Sequence, residues 1–519
     1  MWESILTVIV TTIVICVSFY HVVTKNNGYF KERGVVFVKP TFFLGSLASA
    51  ITKKKSYMEV YIEILKNHPE QGFVGIFDFL KPLYILKDPE LIKQVCIKDG
   101  DNFLDHRFTV DPSVEPIVGR NLFAIKGNRW RKMRKVLSPA FSLAKMRFMF
   151  QLIRECAERT VAYVDLHENS FEFEAVDFLS RFSNDIIATT AFGLEVNSLK
   201  DPKNDFYKHG RIISCLATVL FTLKFILSNT LPWIMKSLKI TILDKESVTF
   251  FRNIILKTLH ERENTKISRP DLIHLLLEAK NKGRILEENE TEEIFEKTSN
   301  LIDWTEDDFV AQCLVFFMAG FETSSMTMTF MSYELALNKN IQNRLHEEII
   351  TAWDNLGDRH PTYEDINKLK YLDMVLSETL RKWTPVTGVD RVCSSPYVLE
   401  DSSGQSVTLN VGDAVFIPLI ALHHDPNFFA EPEKFDPERF SDENKDAIVS
   451  GAYLPFGIGP RYCIGNRFGS MEIKTFFFYM LRKYEIDFVK ETENSIKVKL
   501  GSFNVTPAND LHLKYRLRR

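Results

Sequence analysis

The sequence predicts a mainly α-helical protein with small β-sheets, an α+β chain carried behind a membrane-spanning helix at its N-terminus. Three observations predict this. From Ser4 to Val23 the chain reads SILTVIVTTIVICVSFYHVV, 20 residues without Lys, Arg, Asp or Glu, which is the length a helix needs to cross a bilayer core. Residues 92–382 place apolar positions mostly at helical spacing. Strand character shows in FVGIFDFLKPLYIL (73–86), which alternates like a hairpin, and in YVLEDSSGQSVTLNVGDAVFI (397–417), with turn residues at DSSG and NVGD.

The flanks of the apolar helix orient it. Glu3 precedes it and Lys25, Lys31 and Arg33 follow, so the positive-inside rule leaves the N-terminus outside and the bulk in the cytosol. A cleaved signal peptide is the rival reading; it wants a basic start and a small-residue cleavage site, and MWES and FYHVVTKNN supply neither. The organisation expected is a transmembrane anchor at 1–24, a linker or hinge at 25–40 and a single domain at 41–519, since no Gly/Ser-rich linker or internal repeat breaks the rest. A second apolar stretch, Leu216 to Met235, contains Lys224, Asn229 and Pro232 and reads as two short helices and a loop. Core packing, a surface dipping into the membrane interface, and a second span are its three readings in that order. The acidic run LEENETEEIFEK (286–297) reads as a solvated loop or helix end.

Charge and cysteine usage narrow the function. Lys+Arg at 65 against Asp+Glu at 68 gives a net charge of -3, which argues against nucleic-acid binding through a positive field. The 42 phenylalanines must mostly pack in the core, and their excess hints at an apolar ligand. Cys16, Cys96, Cys156, Cys215, Cys313, Cys393 and Cys463 are scattered singly, with no CxxC spacing, so neither a disulfide framework nor a zinc site is indicated. For all but Cys463 the bland reading is a small buried hydrophobe.

Cys463 lies in FGIGPRYCIG (456–465), where a glycine-rich loop runs into the helical pattern of CIGNRFGSMEIKTFFFYMLRKY. A thiol at a helix N-terminus meets the positive end of the macrodipole and unpaired N–H groups, which favours its thiolate as nucleophile or metal ligand. Gly457, Gly459 and Gly465 allow backbone to approach a flat, bulky group and to aim N–H groups at the sulfur.

Position by position, FGIGPRYCIG resembles the haem-binding loop of the cytochrome P-450 family, Phe-x-x-Gly-x-Arg-x-Cys-x-Gly. The resemblance implies haem b with Cys463 as the axial iron ligand, Phe456 covering the haem near the sulfur and Arg461 pairing with a propionate. Three further stretches follow the family's order. AGFETSS (319–325) lies in a very long helix that starts at a plausible cap, Thr305 with Asp308. Ala319 and Gly320 leave room on one face, and the resemblance makes Glu322 and Thr323 the acid and alcohol that pass protons to bound dioxygen. The alternative for Thr323 is a hydroxyl bonded back to the Ala319 carbonyl. ETLR places Glu378 and Arg381 on one helix face, and FDPERF supplies Arg439. By resemblance these three form the buried network that holds the cysteine loop. Trp130 and Arg134 in WRKMR, and Arg391 after TPVTGVD, resemble propionate contacts, with His106 and Arg107 as further candidates. His423-His424-Asp425 is assigned no chemistry, because adjacent residues rarely share a metal.

The resemblance covers essentially the whole chain and is nearest to microsomal members of the insect detoxification type, except that the proline-rich hinge shrinks to VFVKP. It implies insertion of one dioxygen atom into an apolar small molecule, xenobiotic in kind, with electrons from NADPH-cytochrome P-450 reductase and from cytochrome b5. The expected location is the endoplasmic reticulum membrane, with the catalytic domain facing the cytosol. Lys132, Lys135, Arg467 and Lys474 are expected on the face that docks an acidic flavin domain. Family position puts the pocket at 103–123, parts of 212–235, Phe316, Phe317, Thr384 to Val389 and Phe503 to Val505. A hormone or fatty-acid hydroxylase, a haem-thiolate isomerase or dehydratase, and a haem sensor without turnover are the other readings; the intact Glu322–Thr323 pair speaks against the last two. The sequons at Asn289 and Asn504 are expected to stay unglycosylated in a cytosolic domain.

Overall fold

The computed structural model describes residues 2–167, 170–214, 221, 223, 224, 227, 228, 231–265, 269, 271–278, 304–489 and 496–518. The longer helices are α1 (Trp2–Thr24), α2 (Tyr57–Asn67), α3 (Gly127–Leu137), α4 (Leu143–Asp165), α5 (Ala175–Ala191), α6 (Asp205–Ser214), α7 (Lys245–Thr265), α8 (Glu306–Leu337), α9 (Lys339–Asp354), α10 (Lys370–Lys382) and α11 (Asn466–Lys483). The strands are β1 (Phe73–Asp78), β2 (Lys81–Leu86), β3 (Ser170–Glu174), β4 (Val389–Val392), β5 (Tyr397–Glu400), β6 (Ser406–Leu409), β7 (Ala414–Ile417), β8 (Tyr484–Phe488) and β9 (His512–Leu517). Helix dominates and the sheets are small, as the sequence predicts.

α1 has the length and composition of a membrane span, and none of its apolar window within Ser4–Thr24 is buried against protein. Its polar groups are satisfied internally: Thr12 and Thr24 hydroxyls donate to the Val8 and Tyr20 carbonyls at 2.8 Å each. Where α1 ends, Phe19 and Tyr20 meet Phe42 with ring centroids 6.3 and 6.2 Å away. The stretch from 25 to 40 lies along the sheet: Phe30 is fully buried, and the Val38 N–H donates to the Gly75 carbonyl at 2.9 Å.

β1 and β2 form the expected hairpin, Phe73 opposite Leu86 and Asp78 opposite Lys81. The second strand region divides. β5 and β6 pair with each other, whereas β7 joins the first sheet in the order β1-β2-β7-β4, parallel to β2 and antiparallel to β4. A third sheet, β3-β9-β8, closes the C-terminus onto the segment between α4 and α5. The acidic run 286–297 and the Asn289 sequon lie outside the described residues, as does much of 212–235. At the end of that stretch a short helix, Pro232–Ser237, begins, and Leu223, Leu231 and Trp233 are exposed.

α8 is the core of the domain. By length and composition it passes for a membrane span, but 61% of its apolar window is buried inside the protein. It begins as the sequence predicts: Thr305 Oγ1 accepts from the Asp308 N–H at 3.1 Å and Asp308 Oδ2 from the Thr305 N–H at 3.2 Å. Arg129 Nη2 sits 2.5 Å from Asp308 Oδ1, so the cap also ties α3 to the start of α8.

Candidate active site

Cys463 stands two residues ahead of Gly465, the N-cap of α11. The loop that presents it is fixed by its own backbone: the Cys463 N–H donates to the Phe456 carbonyl at 2.9 Å, and the Tyr462 N–H to the Gly459 carbonyl at 2.9 Å. Gly459, at φ +74°, has no alternative residue, since a Cβ there would lie 1.9 Å from the Cys96 carbonyl oxygen. Solvent reaches Cys463, although protein crowds it closely enough to lift its thiol above the ordinary value. The Gly465 N–H and the Arg134 charge pull the other way without prevailing.

α8 offers the second wall. Along a helix otherwise largely buried, Ala319 is exposed and Phe316, Gly320 and Thr323 are half-buried, an i, i+3/i+4 stripe accessible on one face. Gly320 also serves packing, because a Cβ there would come 3.2 Å from Ile187 Cδ1 of α5. Thr323 Oγ1 donates to the Ala319 carbonyl at 2.6 Å, while Glu322 Oε2 accepts from Asn504 Nδ2 at 2.9 Å. Burial raises the Glu322 pKa against the pull of that hydrogen bond and of Lys499.

A chain of hydrogen bonds links the two walls. Gln312 of α8 donates to the Arg120 carbonyl and accepts from the Leu122 N–H, both at 2.9 Å. The strap 104–125 is gripped from its other side by Arg461. Arg461 Nε donates to Leu104 O at 2.9 Å, Nη1 to Leu122 O at 3.2 Å and Phe123 O at 3.4 Å, and Nη2 to Ile125 O at 3.0 Å and Asp105 Oδ1 at 3.3 Å. Its guanidinium lies 4.1 Å from the Trp130 ring centroid, and burial brings its pKa down to about 10, so it stays charged at neutral pH. From the cysteine loop the links continue: Arg391 Nη2 donates to Ile458 O at 3.1 Å, and further along that strand's lead-in the Val505 N–H reaches Pro385 O at 2.9 Å. Asn504 then returns to α8 at Glu322. Arg134 Nη2 donates to Tyr462 O at 2.7 Å, next to the thiol.

These residues fit a haem. The Cys463 sulfur offers a soft donor, guanidinium groups of Arg134 and Arg391 bond its loop at Tyr462 and Ile458 and carry charge for carboxylates, and a Cβ added at Gly457 or Gly465 would meet no protein atom within 4 Å, so backbone lies open to a flat group there. Phe456 is half-buried beside Tyr462, centroids 6.3 Å apart.

Behind the loop, Glu378 and Arg381 are fully buried and bonded twice, Nε to Oε2 at 2.7 Å and Nη2 to Oε1 at 2.9 Å. Arg439 Nε approaches Glu378 Oε1 at 3.5 Å. His423, given no chemistry from sequence, is the link onward: its carbonyl accepts from Arg381 Nη1 at 2.8 Å, and its Nε2 accepts from the Leu454 N–H at 2.9 Å. Burial keeps this imidazole neutral, far below its usual pKa, with the Nδ1 proton toward Thr384 Oγ1 at 2.7 Å.

Other expectations need correction. His106 Nδ1 lies 3.0 Å from Asp390 Oδ1; burial lowers the imidazole pKa and the bond lowers that of Asp390, giving neutral His106 on a carboxylate. Arg107 turns to Asp78, 3.0 Å away. Lys474 is not on a docking face: it is buried and 2.5 Å from Asp373, whereas Lys135 and Arg467 are exposed and Lys132 is half-buried. Phe317 is no pocket residue, being fully buried against Phe251 and Phe321, 5.0 and 5.4 Å between centroids. Asn504, with its amide committed to Glu322, cannot report topology through glycosylation.

The family model described as Cytochrome P450 matches residues 37–513. Among curated proteins the chain is similar to probable cytochrome P450 9f2 of Drosophila melanogaster, 38% identical over 506 residues covering 96% of each chain. It is similar also to cytochrome P450 9e2 of Blattella germanica, 40% identical over 505 residues, 94% of this chain and 93% of that one. Cytochrome P450 6j1 of the same cockroach is 36% identical over 517 residues, 98% and 97% of the two chains.

Proposed function

The chain belongs to the cytochrome P450 family and is a haem-binding monooxygenase, and from that premise we propose that Cys463 is its iron ligand and that it oxidises apolar xenobiotics at the endoplasmic reticulum. The observation that carries the assignment is the position of Cys463, reachable by solvent at the head of α11 and joined by the chain of hydrogen bonds to the accessible stripe of α8. When bound, haem ligated by a thiolate supplies activation of dioxygen, one atom entering the substrate and the other leaving as water.

The remaining roles belong to side chains. Arg134, Trp130, Arg391 and Arg461 would hold the haem propionates, Arg461 while bonded to the strap at Leu104, Leu122 and Ile125. Phe456, Gly457 and Gly465 of the cysteine loop, and Ala319 and Gly320 of α8, would line the haem. Glu322 takes protons from outside and Thr323 delivers them, turning its hydroxyl from the Ala319 carbonyl toward the site. Glu378, Arg381 and Arg439, with His423 as strut, hold the cysteine loop in register.

Redox partners supply the electrons; we assign NADPH-cytochrome P450 reductase with cytochrome b5, docking on the side of Lys132, Lys135 and Arg467. The span α1 anchors the domain (41–519) with its bulk on the cytosolic side, and the stretch 25–40 joins them. The test is spectroscopic: the reduced, CO-bound protein shows the red-shifted Soret band of thiolate ligation, and Cys463→Ser abolishes it. A band that survives the substitution overturns the assignment. Reductase-supported turnover over a panel of plant toxins, pesticides, hormones and fatty acids then separates xenobiotic oxidation from hormone or fatty-acid hydroxylation.

A further inference from the structure

The acid of α8 has a partner far along the chain. Asn504 Nδ2 donates to Glu322 Oε2 at 2.9 Å. Asn504 sits in a loop closed on itself, with Val498 bridging Pro507 and the Lys499 N–H donating to Thr506 O at 2.8 Å. The same loop is pinned to the segment after α10, because Val386 bridges Asn504 and Val505 N–H reaches Pro385 O at 2.9 Å. Phe503, beside Asn504, is 42% exposed. Glu322 and Thr323, although adjacent, therefore hold different partners: the Asn504 amide and the Ala319 carbonyl. Lys499, on the Asn504 loop, is the charged group that acts on the Glu322 carboxyl.

We propose that Asn504 is a positioning residue for Glu322: its amide holds the carboxyl, so the loop bearing Phe503 sets when that acid serves the Thr323 hydroxyl. The proposal rests on Glu322 carrying protons, as assigned above. An amide donor holds one carboxyl oxygen, and the acid must release it or lend its other oxygen to reach Thr323. A ligand that displaces Phe503 or Val386 moves Asn504 with them, since all three share one backbone-bonded unit. Proton delivery is thereby coupled to the position of this loop.

The test compares wild type, Asn504→Leu, Glu322→Gln and the double variant as reductase-supported holoenzymes, each first checked for the red-shifted CO band. Peroxide released per NADPH consumed is one readout; the other is a pH titration of the protonated carboxyl stretch by infrared difference, assigned to Glu322 by its absence in Glu322→Gln. Asn504→Leu removes a donor that favours the carboxylate, so the Glu322 midpoint moves to higher pH, peroxide release rises several-fold, and the double variant is no worse than Glu322→Gln. Where Leu disturbs the loop, Asn504→Asp keeps the shape and replaces the donated bond by carboxylate repulsion, which moves the midpoint the same way. If Glu322→Gln changes peroxide release while neither Asn504 variant moves midpoint or peroxide, the positioning role is overturned and proton carriage stands. If Glu322→Gln leaves peroxide release unchanged, proton carriage itself falls, and the positioning role with it.

Discussion

Replacing Glu378 by Gln tests whether the buried network behind the cysteine loop is electrostatic. Glu378 and Arg381 are 0% exposed; Glu378 Oε1 also accepts from the Asp436 N–H at 2.9 Å, and Arg439 stands 3.5 Å away. Gln keeps the shape and one acceptor for Asp436 but leaves the buried Arg381 guanidinium, and the partly exposed Arg439 beside it, without a counter-charge. Removing one partner of a buried pair costs ~3–5 kcal/mol, a large share of the ~5–15 kcal/mol that holds a folded protein together. The disturbance has a defined route to the site: Arg381 Nη1 to the His423 carbonyl, His423 Nε2 to the Leu454 N–H, two residues before Phe456. Urea titration followed at the Soret band should therefore show a lower midpoint at unchanged slope, with less haem retained per chain. Arg381→Met in the Glu378→Gln background removes one of the two stranded charges and should recover part of the loss, giving a coupling energy of the sign expected for a buried pair. A single-variant cost under ~1 kcal/mol would put the pair among ordinary surface contacts and refute the reasoning.

Thr323→Ala removes only a hydroxyl bonded within its own helix at 2.6 Å, so stability should stay within ~0.5 kcal/mol while peroxide per NADPH rises; unchanged coupling would show that the hydroxyl carries no proton. Gly459→Ala should destabilise the fold with or without haem, because its methyl would meet the Cys96 carbonyl at 1.9 Å, whereas Gly457→Ala, with φ +77° and no protein atom within 4 Å, should cost the haem-free protein only the left-handed strain of ~1–2 kcal/mol; equal urea midpoints for the two haem-free variants would contradict this. Glu472, fully buried with Ser183 Oγ donating at 2.6 Å, is pushed by burial from 4.5 up to about 7. A carboxyl whose folded pKa is raised is favoured protonated, so stability is full below pH 4.5 and falls as pH rises to about 7, by ~3 kcal/mol in all. Glu472→Gln should flatten urea midpoints across that window and stabilise the protein above it; an unaltered pH profile would mean the carboxyl is not held neutral.

The elements that were legible in the sequence are those whose cause is local. The charge-free run of α1, the Thr305–Asp308 cap and the β1–β2 hairpin each depend on neighbours within a few residues, and each stands where the pattern put it. Strand pairing does not. AVFI (414–417) belongs with β2 and β4 rather than with β5 and β6, because four buried residues in a row carry no alternation that would name a partner. β3 and β9 are separated by most of the chain, and SFEFE against HLKYRL becomes a sheet only once Phe171 meets Tyr515 and Phe173 meets Leu513.

The same division runs through the site. A loop with its glycines and cysteine in fixed order announces a ligand-holding backbone, since Gly459 has to be glycine for the carbonyl of Cys96 to sit where it does. The struts around it do not announce themselves. Gln312 reads as one polar residue on an apolar helix, His423 as half of a histidine pair and Asn504 as a sequon, yet each supplies a hydrogen bond on which another site residue depends. Periodicity explains the errors as well: it gives the face of a helix but not what covers that face. Phe316 and Phe317 are consecutive, one half-exposed beside Phe141 and the other sealed against Phe251, and Lys474 lies on the face of α11 that finds Asp373. Partners set by tertiary packing decide which of two adjacent side chains does chemistry, and residue spacing along one helix cannot contain that choice.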